Sequence, residues 1–130
     1  MLGSAMDVAG ETRQDGGADV LRIGMLEVRP QEGLALVAGH ALPLSVREFG
    51  LLTALARSEG RIVRREDLYE RVWGATLRDG DRTIDVYIRK LRVKLERALP
   101  DWRFIHTHVG FGYRFHPERS QGVHTMATPR

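Results

Sequence analysis

The segment 81–97, DRTIDVYIRKLRVKLER, gathers the side chains best suited to chemistry. Wound as an α-helix, it sets Ile84, Ile88, Leu91 and Leu95 along one face, extended by Leu99. The opposite face carries Arg82, Arg89, Lys90 and Arg97, with Val86 and Val93 among them. A face built only for water has little use for valine. A face that enters a DNA major groove does: Arg and Lys hydrogen-bond guanine edges or neutralise phosphates, and a small apolar side chain packs on a thymine methyl. Val86, Lys90 and Val93, with Arg82 and Arg89 alongside, form such a mixed surface. Thr83 and Tyr87 lie on one flank and Arg92 on another edge, within reach of backbone oxygens. Asp85, one turn before Arg89, is placed to pair with it and fix the guanidinium. A charged solvent face with two incidental valines is the plainer alternative, and the helix by itself leaves both open.

Other groupings carry less. His106 and His108 are two apart on an expected strand, but two ligands are too few for a structural zinc site. GFG, 110–112, lacks the strand-to-helix setting of a phosphate-binding loop and reads as a turn. Trp73 and Trp102 read as packing residues. Glu66, Asp67 and Glu70 fall early on a helix, where the dipole favours acids. Asp79 and Asp81 lie in a Gly-containing loop, and no Ser/His/Asp set has a motif around it. With no cysteine, disulfides, thiol catalysis and cysteine-ligated zinc are excluded. The expectation is a non-enzyme without metal or cofactor.

The elements that must hold the 81–97 face follow from the rest of the chain. Its 130 residues, 42% hydrophobic, suffice for one small domain, and the net charge of +3 is a mild hint of a polyanionic partner. No apolar run approaches a membrane span and no secretory leader is visible, so a cytoplasmic protein is expected. Residues 1–19 and 117–130 are expected to be a flexible leader, tag or linker remnant and a disordered tail. From 20 to 44, pairs of apolar residues alternate between Gly and Pro signals (Leu21 and Ile23, Leu26 and Val28, Leu34 and Leu36, Leu42 and Leu44), predicting about four antiparallel strands. SVRE at Ser45 is a capping box before a helix with Phe49, Leu52, Leu55 and Ala56, closed near Gly60. RIV, 61–63, is a short extended link. A second helix places Leu68, Val72 and Trp73 inward and stops at Gly74. After a polar loop, 75–81, comes the basic helix, ended by Pro100. RFIHTHVGFGYRF, 103–115, alternates about a Gly-containing centre and predicts a β-hairpin. Three helices followed by a hairpin is the winged-helix order, a helix-turn-helix variant.

LSVREFGLLTALARSEGRIVRREDLYERVWG, DRTIDVYIRKLRVKLE and GFGYRF, in this order and spacing, resemble the effector domains of OmpR/PhoB-type bacterial response regulators. The resemblance spans about 20–116 and implies an α+β fold: a winged helix-turn-helix with an N-terminal four-stranded antiparallel sheet, three helices and a C-terminal hairpin wing. By position it implies base reading by Thr83, Val86 and Lys90. It implies phosphate contacts from Arg82, Tyr87, Arg89 and Arg92, with Trp73, Thr107 and Tyr113 adding more. It matches the loop of Thr76, Leu77, Arg78 and Asp79 to a segment that contacts RNA polymerase in some members. Binding to direct-repeat half-sites, with a monomer in isolation and a tandem pair on DNA, is the implied mode. The chain departs from the family at Val109, where many relatives carry a minor-groove arginine; His108 is the nearest basic residue. Lys90 stands where many carry Arg and lacks the flat guanidinium fork. No receiver domain fits in 1–19, so the chain reads as an effector domain, with a free-standing regulator as the alternative. A protein-interaction module using the 75–81 loop and a non-specific DNA binder are the rival functions.

Overall fold

The computed structural model describes residues 19–120. Residues 1–18 of the leader expected over 1–19, and 121–130 of the tail expected over 117–130, lie outside the described residues. Four short strands come first: β1 (Leu21–Ile23), β2 (Leu26–Arg29), β3 (Leu34–Val37) and β4 (His40–Ala41). They form an antiparallel sheet in sequential order. α1 (Val46–Arg57), β5 (Ile62–Val63), α2 (Arg65–Trp73) and α3 (Thr83–Ala98) follow. A hairpin of β6 (Trp102–His108) and β7 (Gly112–Arg119) completes the chain, with β5 paired to β7 in a second, three-stranded sheet. This is the winged-helix architecture with the expected N-terminal sheet.

Three details depart from the sequence reading. In β3 the buried residues are Ala35 and Val37, not Leu34 and Leu36. Pairing of Leu26 with Val37 and Val28 with Ala35 sets that phase, because register with a half-buried neighbour overrides side-chain size. Residues 62–63 are not a bare link but a ladder strand, with Ile62 opposite Arg114 and Val63 opposite Tyr113. At the two ends of the described residues, Asp19, placed in the expected leader, pairs with Arg57 at 3.1 Å, and β7 runs through the expected boundary at 116 to Arg119.

Local chemistry fixes each helix. Ser45 Oγ accepts the Glu48 amide at 3.2 Å while the Ser45 amide donates to Glu48 Oε1 at 2.8 Å, closing the capping box at the start of α1. α1 ends at Ser58; Gly60, at φ +85°, lies in the turn beyond and donates to the Phe115 carbonyl at 2.9 Å. Gly74 closes α2 in the left-handed conformation, as expected. Just before the Arg82 N-cap of α3, Asp81 accepts from the Thr83 amide at 2.8 Å and the Thr83 hydroxyl at 2.6 Å. Ile84, Ile88, Leu91 and Leu95 of α3 are all buried, in one core with Leu26, Leu51, Leu55, Leu68 and Phe115. α1 sits between the two sheets and touches α2, α3, β1 and β7.

Candidate nucleic-acid interface

With its apolar stripe sealed in the core, α3 turns its other face outward. Arg82, Val86, Arg89, Lys90, Val93 and Arg97 are all exposed there. Among the described residues neither Arg89 nor Arg97 is paired with an acid. Val86 and Val93 remain 49% and 39% exposed, so the mixed basic and apolar surface expected from the sequence is present. Thr83 is half-buried and its hydroxyl already donates to Asp81.

Lys90 does not swing freely. Its ammonium lies 4.8 Å from the centre of the Tyr87 ring. Tyr87 meets Trp73 edge-on at 5.3 Å, and Trp73 stacks on Tyr69 at 5.1 Å with the rings 2° from parallel. Arg47 covers Trp73 at 4.9 Å and donates to the Val72 carbonyl at 2.6 Å. This aromatic ladder ties the end of α2 to α3. Trp73 is thus half-buried packing between the two helices, with an edge at the surface.

Asp85 corrects the expected Asp85–Arg89 pair. It faces α2 and the wing: Arg65 donates to it at 3.2 and 3.3 Å, Arg82 lies 2.8 Å away, and the Tyr113 hydroxyl donates at 2.5 Å. Burial pushes the Asp85 carboxyl up, but the Tyr113 hydroxyl and the two guanidinium groups together hold it below the usual range. Burial and the hydrogen bond to Asp85 push the Tyr113 phenol up to about 12. Tyr113 is only 6% exposed, and its hydroxyl is engaged with Asp85 in the free protein.

Arg92 and Thr107 are also joined. Arg92 donates to the Ile105 carbonyl through Nε at 3.2 Å and Nη2 at 3.0 Å, and to the Thr107 hydroxyl at 2.6 Å. The guanidinium thereby fastens α3 to β6. In the wing, His108 Nε2 accepts from Arg114 Nε at 3.2 Å. Gly112 cannot be anything larger: a Cβ there would stand 2.1 Å from the Val63 carbonyl oxygen. The tip exposes Val109 (87%) and Phe111 (72%) and carries no arginine. In the 75–82 loop Thr76, Arg78 and Asp79 are exposed and Leu77 is half-buried.

Several contributors were not singled out from the sequence. Arg64 and Arg65, at the start of α2, border a cleft with Arg82, Arg92 and the wing. Their adjacency at a helix start gave a signal, but only the fold brings them to α3. Glu48, 4% exposed in its side chain, binds Lys94 at 2.6 Å. Burial raises its carboxyl, yet the hydrogen bonds from Lys94 and Ser45 outweigh that and keep it lowered.

The chain matches the family described as transcriptional regulatory protein, C terminal, over residues 39–115. It is 35% identical over 107 residues to the sensory transduction protein RegX3 of Mycolicibacterium smegmatis, covering 81% of this chain and 47% of that protein. It is 39% identical over 95 residues to the alkaline phosphatase synthesis transcriptional regulatory protein SphR of Synechococcus elongatus, covering 73% of this chain and 37% of SphR. The chain therefore spans less than half the length of these relatives. Among solved structures, the DNA-binding domain of Klebsiella pneumoniae RstA, in complex with the RstA box, superposes with a TM-score of 0.68 at 31% identity, covering 76% of this chain and 98% of that one. The DNA-binding domain of Escherichia coli CpxR gives 0.64 at 35% identity, covering 74% and 94%. With its motifs, its sheet–helix–wing order and these matches in agreement, the chain belongs to the C-terminal transcriptional regulatory family, the winged-helix effector domains of OmpR/PhoB-type response regulators.

Proposed function

We propose that this domain binds double-stranded DNA in a sequence-specific manner as the effector part of a transcription regulator, with α3 in the major groove. The observation that carries the reading is the outward face of α3. A helix whose apolar stripe is fully buried still presents two valines among basic residues, of which Arg89 and Arg97 have no acid partner among the described residues. Thr83, Val86 and Lys90 are assigned to bases, Lys90 being exposed with its ammonium held against the Tyr87 ring. Arg82, Tyr87 and Arg89 are assigned to phosphates, with the exposed edge of Trp73 beside them. Arg92 and Thr107 hold the wing against α3 and meet the backbone through what remains of their donors. His108 and Val109 place the wing on adjacent backbone without an arginine. Likeness to the RstA DNA-binding domain, solved in complex with the RstA box, supports DNA binding.

Affinity comes mainly from phosphate neutralisation and falls steeply with salt. Two copies load head to tail on direct-repeat half-sites, and the domain alone is a monomer. The exposed Thr76–Asp79 side of the loop is free to meet RNA polymerase. No catalytic step is assigned to any residue, and the site of action is the cytoplasm. Selection of sites from a randomised duplex pool at near-physiological salt tests this. Enrichment of a direct repeat with half-sites about 10–11 base pairs apart is expected. Salt-sensitive binding with no enriched sequence would overturn specific reading, and absence of binding would turn attention to the loop and a protein partner.

A further inference from the structure

Two histidines stand two apart on β6, and the fold gives their rings opposite duties. His106 Nε2 lies 2.9 Å from the His116 carbonyl oxygen, which only accepts, so this nitrogen carries a hydrogen. Its Nδ1 faces the Glu118 carboxylate at 3.5 Å, so a second hydrogen on that ring meets an acceptor and costs no bond. His108 is arranged the other way. Its Nε2 accepts from Arg114 Nε at 3.2 Å, and a guanidinium only donates, so this nitrogen presents a lone pair and the ring is neutral. A proton added there breaks the bond and sets two cations face to face.

The surroundings of His108 decide when that proton arrives. The ring borders the cleft between α2, α3 and the wing, with Arg64, Arg65 and Glu66 from the start of α2 and Arg82, Asp85 and Arg92 from α3. Both acids are already answered there. Glu66 lies 3.5 Å from Arg64, and Asp85 lies 3.2 Å from Arg65 and 2.8 Å from Arg82. Among the described residues no acid pairs with His108. The cleft therefore offers an imidazolium no partner of its own, and its arginines outnumber its acids. Its rim residues Arg64, Arg82 and Val109 are exposed, so an anion has a way in. A phosphate that enters brings the missing acceptor, and its charge favours the protonated ring.

We propose that DNA binding is linked to uptake of a proton at His108. In the free domain the ring is neutral and accepts from Arg114. When a backbone phosphate enters the cleft, Nε2 takes a proton from solvent, gives up the Arg114 bond and donates to the phosphate, while the Arg114 N–H turns to water. The wing, whose tip carries no arginine, thereby gains a cation only when DNA is present, and gains it more readily as pH falls. The inference rests on the DNA-binding function proposed above and adds its regulation by pH. It needs the backbone contact alone and not the reading of bases.

The whole chain is titrated against a duplex enriched from the random pool and against a random duplex, at about pH 8 and about pH 5.5 and at constant ionic strength. Thermal unfolding confirms that each variant is folded at both. Wild-type binding is expected to tighten about tenfold at the lower pH on both duplexes, with a salt slope steeper by about one. His108→Gln keeps an acceptor for Arg114 and takes no proton, so its affinity is expected to stay within about twofold across the same range. His106→Gln is expected to respond as the wild type does. Calorimetry at about pH 6.5, in two buffers of different ionisation enthalpy, is expected to show proton uptake on binding that is lost in His108→Gln. Equal wild-type affinity at both pH values, the same tightening in His108→Gln, or its loss in His106→Gln would overturn the inference while leaving DNA binding intact. Absence of binding to either duplex at either pH would overturn the DNA-binding function, and this inference with it.

Discussion

The outward face of α3 and the wing are neighbours with opposite economies of charge. On α3, Arg89 and Arg97 have no acid partner among the described residues, and Lys90 rests only on a ring face. On the wing side, the polar groups answer one another: Arg92 to Ile105 and Thr107, Arg114 to His108, Tyr113 to Asp85. What the wing leaves open is apolar, Val109 and Phe111. The difference teaches that a basic residue near the interface is not by that fact a contact. Its free donors decide: Arg89 and Arg97 keep theirs, whereas Arg92 and Arg114 use theirs to hold the wing in shape.

The sharpest way to separate the two regions is to break the wing alone. Gly112→Ala drives a methyl into the Val63 carbonyl, and a loss of about 3 kcal/mol in urea unfolding is expected. Unfolding at the wild-type midpoint would mean that β5 and β7 can part at no cost. Next in size is Lys90→Ala, expected to lose about 2 kcal/mol of preference between the selected and a random duplex, whereas Arg89→Ala weakens both alike and lowers the salt slope by about one. Competition titrations at several salt concentrations distinguish these outcomes, and equal losses for both variants on both duplexes would merge the two roles.

Arg92→Ala sharpens the contrast from the other side. Its guanidinium bonds within the fold, so a loss of about 1.5 kcal/mol in stability is expected with a smaller change in salt slope than Arg89→Ala gives. A full unit of slope with unchanged stability would mean that Arg92 serves the DNA and not the fold. The smallest effect belongs to Tyr113→Phe, expected to cost about 1 kcal/mol near neutral pH. Because the folded phenol is raised to about 12 from the ordinary value of 10.0, its stabilisation is complete below pH 10 and lost as pH climbs towards 12. Stability curves for wild type and Tyr113→Phe should therefore converge across that window. Parallel curves would show that the hydroxyl does not titrate with folding.

Much of this arrangement is written in periodicity. The 3.6-residue repeat of Ile84, Ile88, Leu91 and Leu95 dictates which side of α3 is left outside, and Ser45 with Glu48 marks where α1 begins. Periodicity is silent where partners are distant. Asp85 stands one turn from Arg89 in sequence, yet it bonds Arg65, twenty positions earlier, and Tyr113, on the last strand. Two residues, Ile62 and Val63, are too few to show a strand period, so their pairing with β7 comes only from the fold. Tyr113 illustrates the same limit: its alternation with Phe115 puts it in the core, but its bond to Asp85 comes only from the fold.

The node at Asp85 has a kinetic consequence. One carboxylate joins α2 through Arg65, its own helix through Arg82, and the wing through Tyr113, while Arg92 adds a second tie between α3 and β6. A ligand that reaches α3 meets the wing already in place. Little ordering entropy remains to be lost on association. Encounter should then be governed by long-range attraction, with an on-rate that slows as salt rises and with no slow rearrangement following capture.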